Sequence, residues 1–185
     1  MDKIYVYTDG SCINNGKPNA KAGIGIYFGE NDKRNVSMRI PGKQTNNIAE
    51  LSAIILAILI LKNETKQIVI YSDSIYAIKC FTTYGRKLES QGFISNKPIP
   101  NLEIIKAGLK LMRPNIELRF IRSHTGKKNE HSIGNIMADR LAALAIGLNP
   151  DRRREYLDIG YEDRHKAKEM GAKWDWKKKR WYLER

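Results

Sequence analysis

Cysteine is scarce in this chain of 185 residues. Cys12 and Cys80 are too few and too far apart for a disulfide framework or a zinc site, and they read as the reduced thiols of an intracellular protein. Long apolar runs are also missing. The longest, Ala53 to Leu61, falls far short of the roughly 20 residues that span a bilayer. Met1-Asp2-Lys3 leads straight into strand-like sequence without the regions of a signal peptide, and no basic amphipathic helix suggests a membrane-surface mode. No internal repeat or low-complexity tract stands out. Acidic residues are in the minority: 20 Asp and Glu face 33 Lys and Arg, a formal charge of +13 and a pI near 9.7. The expectation is a soluble, unsecreted monomer, cytoplasmic or in the nucleoid or nucleus, without a membrane partner and suited to a polyanion.

What is present alternates. Lys3 to Thr8, Ala22 to Gly29 and Val36 to Ile40 are β-like, the last two joined by Glu30 to Arg34 as a hairpin connection. Thr45, Asn46 and Asn47 offer N-cap side chains for a helix to about Leu61, apolar around most of its circumference and so central. A strand near Ile68 to Ser72 and a helix from Ser74 to about Thr83 follow. Tyr84 to Asn101, basic and punctuated by Gly85, Gly92, Pro98 and Pro100, reads as irregular. Asn101 is expected to cap a helix through Met112, ahead of a strand from Ile116 to Ile121 and a last helix from Ile133 to Ile146. The fold class is α/β: a mixed five-stranded sheet flanked by helices, its first three strands antiparallel and the rest parallel, with a small α+β unit at the C-terminus. The boundaries predicted are a catalytic domain over 1–148, a linker over 149–155 and a small domain over 156–185.

Four carboxylates sit where regular elements begin or end, amid apolar sequence that would otherwise be core. Asp9 and Asp73 follow strands, Glu50 opens the segment Leu51 to Leu61, and Asp139 lies inside the last helical pattern. Singly, each could face water. Gathered together, their repulsion would protonate some of them unless a cation compensated. An all-oxygen cluster suits Mg²⁺, and Mg²⁺ held by a few carboxylates generally works on phosphates.

Tyr7-Thr8-Asp9-Gly10-Ser11, Thr45-Asn46-Asn47-Ile48-Ala49-Glu50, Tyr71-Ser72-Asp73-Ser74 and Ser123-His124-Thr125-Gly126, with Gly134-Asn135 and Ala138-Asp139-Arg140-Leu141-Ala142, resemble type 1 ribonuclease H over roughly residues 1–147. One Thr-Asp-Gly-Ser is common in turns, but four such blocks in order are a strong signal. The resemblance implies endonucleolytic hydrolysis of the RNA strand of RNA/DNA hybrids, giving 5′-phosphate and 3′-hydroxyl ends. Two Mg²⁺ ions about 3.5–4 Å apart, replaceable by Mn²⁺, would be held by Asp9, Glu50, Asp73 and Asp139. His124 matches the family's loop histidine, which handles protons or product release. The stretch from His124 to Asp139 is longer than in many members, and Lys127 to Ser132 looks inserted. Glu130 and His131 become weaker candidates, read first as loop polarity.

By the same resemblance, Asn15, Asn46 and Asn47 would lie in the minor groove, where the 2′-hydroxyl marks RNA. Turn and capping chemistry would also account for that cluster. Lys43, Thr45 and Asn101 align with a pocket for a DNA phosphate, Lys43 standing where some relatives use Arg. The stretch 84–101 occupies the place of a basic protrusion, where Arg86 and Lys87 could meet phosphates and Tyr84 or Phe93 could pack on deoxyribose. Covering a sheet edge is the alternative for these aromatics.

In the C-terminal unit Trp174, Trp176 and Trp181 stand beside Lys177, Lys178, Lys179 and Arg180. Glu162 to Met170 reads as a short helix, followed after Gly171 by strand-turn-strand. Gly171-Ala172-Lys173-Trp174-Asp175 with Lys179-Arg180-Trp181-Tyr182 resembles a short domain of unknown function. Rings interleaved with basic side chains suit nucleic-acid stacking, so Trp174, Trp176, Lys178, Lys179 and Trp181 are candidates for accessory binding. In so small a module the tryptophans could equally be core. Two other readings of the whole chain stay open: an integrase- or resolvase-like enzyme, and a non-catalytic nucleic-acid-binding module. The order Asp-Glu-Asp-Asp favours ribonuclease H over the former.

Overall fold

Alternation along β1 (Lys3–Ile13) sends Ile4 and Val6 to one side of a sheet and Tyr5 and Tyr7 to the other. The structure is a computed structural model and describes residues 3–123, 129–149, 154–176 and 178–184. Its chain falls into two compact units, Met1–Leu148 and Asn149–Arg185. No described helix is long and apolar enough to cross a membrane.

In the first unit β1, β2 (Lys21–Tyr27) and β3 (Val36–Arg39) form an antiparallel meander, and β4 (Gln67–Ser72) and β5 (Ile116–Phe120) add on the other side of β1 in parallel, giving the order β3-β2-β1-β4-β5. This is the mixed sheet expected. Helices α1 (Asn46–Ile60), α2 (Ile75–Phe81), α3 (Thr83–Ser90) and α4 (Leu102–Leu111) join the sheet, and α5 (Glu130–Ala145) follows β5. Val6, Ile68 and Ile70 pack with Leu51, Ile54, Phe81 and Ile105 in the main core. On the opposite face Tyr7, Val69 and Tyr71 meet Ala138 of α5. That helix lies almost on the backbone of β2, where a Cβ at Gly25 would fall within 1.9 Å of the Ala138 carbonyl oxygen.

Some elements differ from expectation. The stretch after Tyr84 is not irregular at its start, because α3 runs through Gly85 to Ser90. Gly85 is no breaker there: it is buried, and a Cβ would collide with the Cys80 carbonyl oxygen. Helix α5 begins at Glu130, three residues before the predicted start, with Asn129 as N-cap accepting from the Ser132 N–H at 2.9 Å. Asn101 occupies the N-cap position of α4 with φ 59°, but its side chain makes no capping bond. The amide nitrogen instead donates to the Tyr76 hydroxyl at 2.8 Å.

The second unit is a three-stranded antiparallel sheet in the order β6-β8-β7, made by β6 (Arg154–Tyr156), β7 (Lys173–Asp175) and β8 (Arg180–Glu184), with α6 (Arg164–Glu169) preceding β7. Strand β6 starts inside the stretch expected to be linker. Ala167, Ala172 and Trp181 form its small core with Leu157, Ile159, Trp174 and Leu183.

Candidate active site

Parallel pairing of β1 with β4 puts Thr8 opposite Ser72, so Asp9 and Asp73, the next residue on each chain, stand together at the carboxyl ends of adjacent strands. Such ends are where open sheets hold ligands. Glu50 arrives from the opposite side. Thr45 caps α1 by accepting from the Ile48 N–H at 3.2 Å, and Glu50 falls in the second turn. Gly10 makes the approach possible, since a Cβ there would lie 2.4 Å from the Glu50 nitrogen. Asp9, Glu50 and Asp73 each offer a carboxylate oxygen within 4.8 Å of the others.

The electrostatics of this cluster run against ionisation. Burial, then the charges of Glu50, Asp73 and Asp139, drives the Asp9 carboxyl well above the ordinary carboxylate range. Glu50 is raised for the same first reason, burial, and then by Asp73 and Asp139. The Gly10 N–H opposes both shifts, and the Asn46 side chain also favours the charged form of Glu50. Asp139 is exposed on α5 and outside the close triad, yet its charge bears on both buried carboxyls. The oxygen Oε2 of Glu50 is buried with no hydrogen-bond partner among the described residues. Three crowded carboxylates with an orphaned oxygen among them fit a hard divalent cation, which takes oxygen ligands and cancels the repulsion.

Asn135 of α5 is a further residue of the site. It is buried, its Nδ2 donates to Asp73 Oδ2 at 3.3 Å, and its own Oδ1 has no partner. The signal was available, because it lies four residues before Asp139 and so on the same helix face. His124 lies outside the described residues. His131 packs on the sheet tyrosines: its ring stacks on Tyr71 at 4.5 Å and its Nδ1 bonds the Tyr7 hydroxyl at 2.9 Å.

The expected substrate contacts divide into two groups. Around the start of α1, Lys43 and Asn47 are exposed, and the Asn15 Oδ1 accepts from the Asn46 N–H at 3.2 Å. Farther along the chain, Tyr84 is exposed beside Tyr76, Lys79, Cys80 and Pro100 around a hollow of about 340 Å³, and Asn101 is bonded to Tyr76. Phe93 is less available than Tyr84, being packed against the main core with the Lys106 ammonium 5.2 Å from its ring. Arg86 is paired with Glu89 at 2.7 Å.

In the second unit the candidates separate. Trp181 is core, 4% exposed, whereas Trp176 is 79% exposed. Lys178 lies over the Tyr156 ring, its Nζ 4.4 Å from the ring centre. Lys179 is exposed in the turn before β8 with φ 51°.

Comparison with known proteins agrees with this geometry. A family model described as RNase H matches residues 1–146, and one described as a domain of unknown function, DUF5710, matches residues 154–185. Ribonuclease H of Schizosaccharomyces pombe is 41% identical over 145 residues, covering 76% of this chain and 52% of the relative. Ribonuclease H1 of Homo sapiens is 36% identical over 145 residues, covering 76% of this chain and 49% of the relative. The chain thus spans about half the length of these relatives. The solution structure of the PFV RNase H domain superposes with a TM-score of 0.66 at 25% identity, over 78% of this chain and 94% of that one. With its carboxylates converging at the strand ends of a matching fold, the chain belongs to the RNase H family, in the type 1 form that its four sequence blocks resemble.

Proposed function

We propose that this chain hydrolyses the RNA strand of RNA/DNA hybrids, using two divalent cations, Mg²⁺ with Mn²⁺ as a substitute, and leaving 5′-phosphate and 3′-hydroxyl ends. The observation that carries the reading is the meeting of Asp9, Glu50 and Asp73 within 4.8 Å on three different elements. When bound, the cations would supply positive charge at the scissile phosphate and a water of lowered pKa.

Everything else is positioning by the protein. Asp9 and Glu50 are 5% exposed, so they would hold a cation with little competing water. Asp139, exposed on α5, would be the fourth and most accessible residue holding a cation. Asn135 holds Asp73 in orientation. His124 handles the proton exchanged as product leaves.

Selection of a hybrid falls to two surfaces. Asn15, Asn46 and Asn47 read the 2′-hydroxyls of the RNA strand from the turn after β1 and the start of α1. Lys43 and Thr45 with Asn101 hold a DNA phosphate, and the exposed Tyr84 ring packs on deoxyribose, where an extra hydroxyl would not fit. The bond between Asn15 and Asn46 supports the first role by joining the two segments.

Incubating a labelled hybrid with Mg²⁺, alongside duplex RNA, duplex DNA and the Asp9→Asn variant, tests this directly. Cleavage confined to the RNA of the hybrid and lost in Asp9→Asn is expected. Hybrid that is bound and left intact would leave a binding module instead, and cleavage of duplex DNA would point to an integrase-like substrate.

A further inference from the structure

Beside α6 and β7, the second unit holds a hollow of about 400 Å³ lined by Tyr161, Arg164, Lys168, Trp174, Trp176 and Trp181, among others. Its walls are aromatic rings, most of them on edge to one another, with Tyr161 and Trp181 near parallel at 6.4 Å and 13°. Tyr161 meets Trp174 with centroids 5.0 Å apart and planes at 64°, and Trp174 meets Trp176 at 6.4 Å and 85°. Trp181 packs edge-on to Trp174 at 5.1 Å, and its Nε1–H is buried with no partner among the described residues. The outermost rings are exposed, Trp176 79% and Tyr161 50%, with the Arg164 guanidinium 5.7 Å from the Tyr161 ring centre. Arg164 and Lys168 are exposed along the same wall.

The other side of this small sheet is built differently. Lys178 and Arg180 lie over Tyr156 at 4.4 and 5.7 Å, the Tyr156 hydroxyl donates to Asp175 at 2.8 Å, and Tyr182 is buried. Those rings already have cations and neighbours on them. On the α6 side Trp176 is, among the described residues, the most exposed ring of the unit and carries no cation over its face.

We propose that this hollow binds one unpaired nucleotide of a single-stranded nucleic acid, its base stacked on Trp176 and Tyr161 and its flanking phosphates met by Arg164 and Lys168. An exposed indole among cations calls for a ligand both flat and anionic. A duplex fails the first condition, because its base faces are covered by neighbouring pairs; a single strand meets both conditions, and stacking on aromatic rings tolerates any base. An acidic peptide meets only the second. The surface differs from the one expected from sequence: Trp181 serves as floor, Lys178 is turned to the far side, and Tyr161, Arg164 and Lys168 enter. The inference concerns binding alone and does not rest on hydrolysis.

The chain supplies its own reporter, because all three of its tryptophans lie in this unit. Titrating the full-length protein with oligo(dT), which contains no RNA to cleave, should quench intrinsic tryptophan emission. Affinity should fall with salt, and the dependence of log K on log salt should lose about 0.7 for each of Arg164→Ala and Lys168→Ala. By fluorescence anisotropy of a labelled oligo(dT), Trp176→Ala should bind roughly tenfold more weakly and Trp176→Phe should recover most of the loss. Trp176 contributes little to the core, so circular dichroism should show both variants folded. Emission unmoved by oligo(dT), equal quenching by duplex DNA or by poly-glutamate, or parental affinity in folded Trp176→Ala would each overturn the proposal. None of these outcomes bears on cleavage of a hybrid, which is measured separately.

Discussion

Asn135 donates through Nδ2 to Asp73 Oδ2 across 3.3 Å, joining helix α5 to the end of strand β4. The bond leaves Asp73 with one oxygen turned elsewhere and fixes the carboxylate plane. Groups that orient metal ligands in this way are worth about 10–100-fold in affinity or activity. Asn135→Ala should therefore lower kcat by about that factor and shift the Mg²⁺ dependence to higher concentration. Parental kcat with an unchanged Mg²⁺ midpoint would show that the bond orients nothing.

A second expectation concerns pH. Asp9 and Glu50 have carboxyls raised above their unfolded values, chiefly by burial and then by neighbouring acids. Raised acids bind protons more tightly when folded, so their contribution is complete below the ordinary carboxylate range near 4 and is lost as pH rises through the raised values. Metal-free protein should thus lose melting temperature from pH 5 toward pH 9. Added Mg²⁺ should stabilise more at the alkaline end, because binding requires both carboxyls to release their protons. A calorimetric series with and without Mg²⁺ checks the crossing trend. Equal stabilisation at pH 5 and pH 9 would contradict it.

The same repulsion sets the outcome for Asp9→Asn. Removing a buried charge that three other carboxylates oppose should raise the metal-free melting temperature at pH 8, by about 2–4 °C for each kcal/mol of relieved strain. Hybrid cleavage should disappear in the same variant. A variant less stable than its parent at pH 8 would mean that Asp9 is held by favourable bonds rather than crowded.

Much of this site was legible because each carboxylate follows or lies within an element whose pattern is strong on its own. Asp73 follows Ile68-Val69-Ile70-Tyr71, and Glu50 lies in a helix announced by Thr45 and an apolar run. Register was not legible. Nothing in the local pattern says that Thr8 pairs with Ser72, or that Gly10 is a glycine because the backbone of α1 passes 2.4 Å from where its Cβ would be. Gly85 shows the converse error: a residue read as a breaker is a contact between α3 and the end of α2. Trp176 and Trp181 look alike in sequence, and only the pairing of β8 with β6 and β7 buries one and bares the other.

His131 tests whether the lengthened approach to α5 takes part in chemistry. Burial, then the Glu130 charge, raises the Tyr7 hydroxyl above its ordinary pKa, and that hydroxyl shares a hydrogen bond with His131 Nδ1 at 2.9 Å. The Tyr71 hydroxyl lies 3.3 Å from Nε2. The ring therefore pins the first turn of α5 to the sheet. His131→Phe keeps the stacking and loses the hydrogen bonds, each worth about 1 kcal/mol, so the melting temperature should drop by a few degrees. The kcat at the optimum should stay within about twofold of the parent. A loss of 100-fold would place His131 in catalysis after all.

Removal of the second unit separates holding the substrate from cleaving it. The carboxylate triad and the elements that carry it lie wholly within Met1–Leu148, and the matching RNase H model ends at residue 146. A chain ending at residue 148 should therefore fold and keep kcat nearly intact. If the appended unit grips the same nucleic acid that is cleaved, it raises local substrate concentration without touching the transition state, and uniform binding of this kind appears in KM alone. The truncated chain should show a higher KM for hybrids that carry a single-stranded overhang, with a smaller change for blunt ones. The difference should shrink as salt rises, because phosphate contacts are what the lost unit supplied. Equal KM for the full and truncated chains on overhanging hybrids at low salt would exclude any role for the second unit in substrate capture, whatever it binds in isolation.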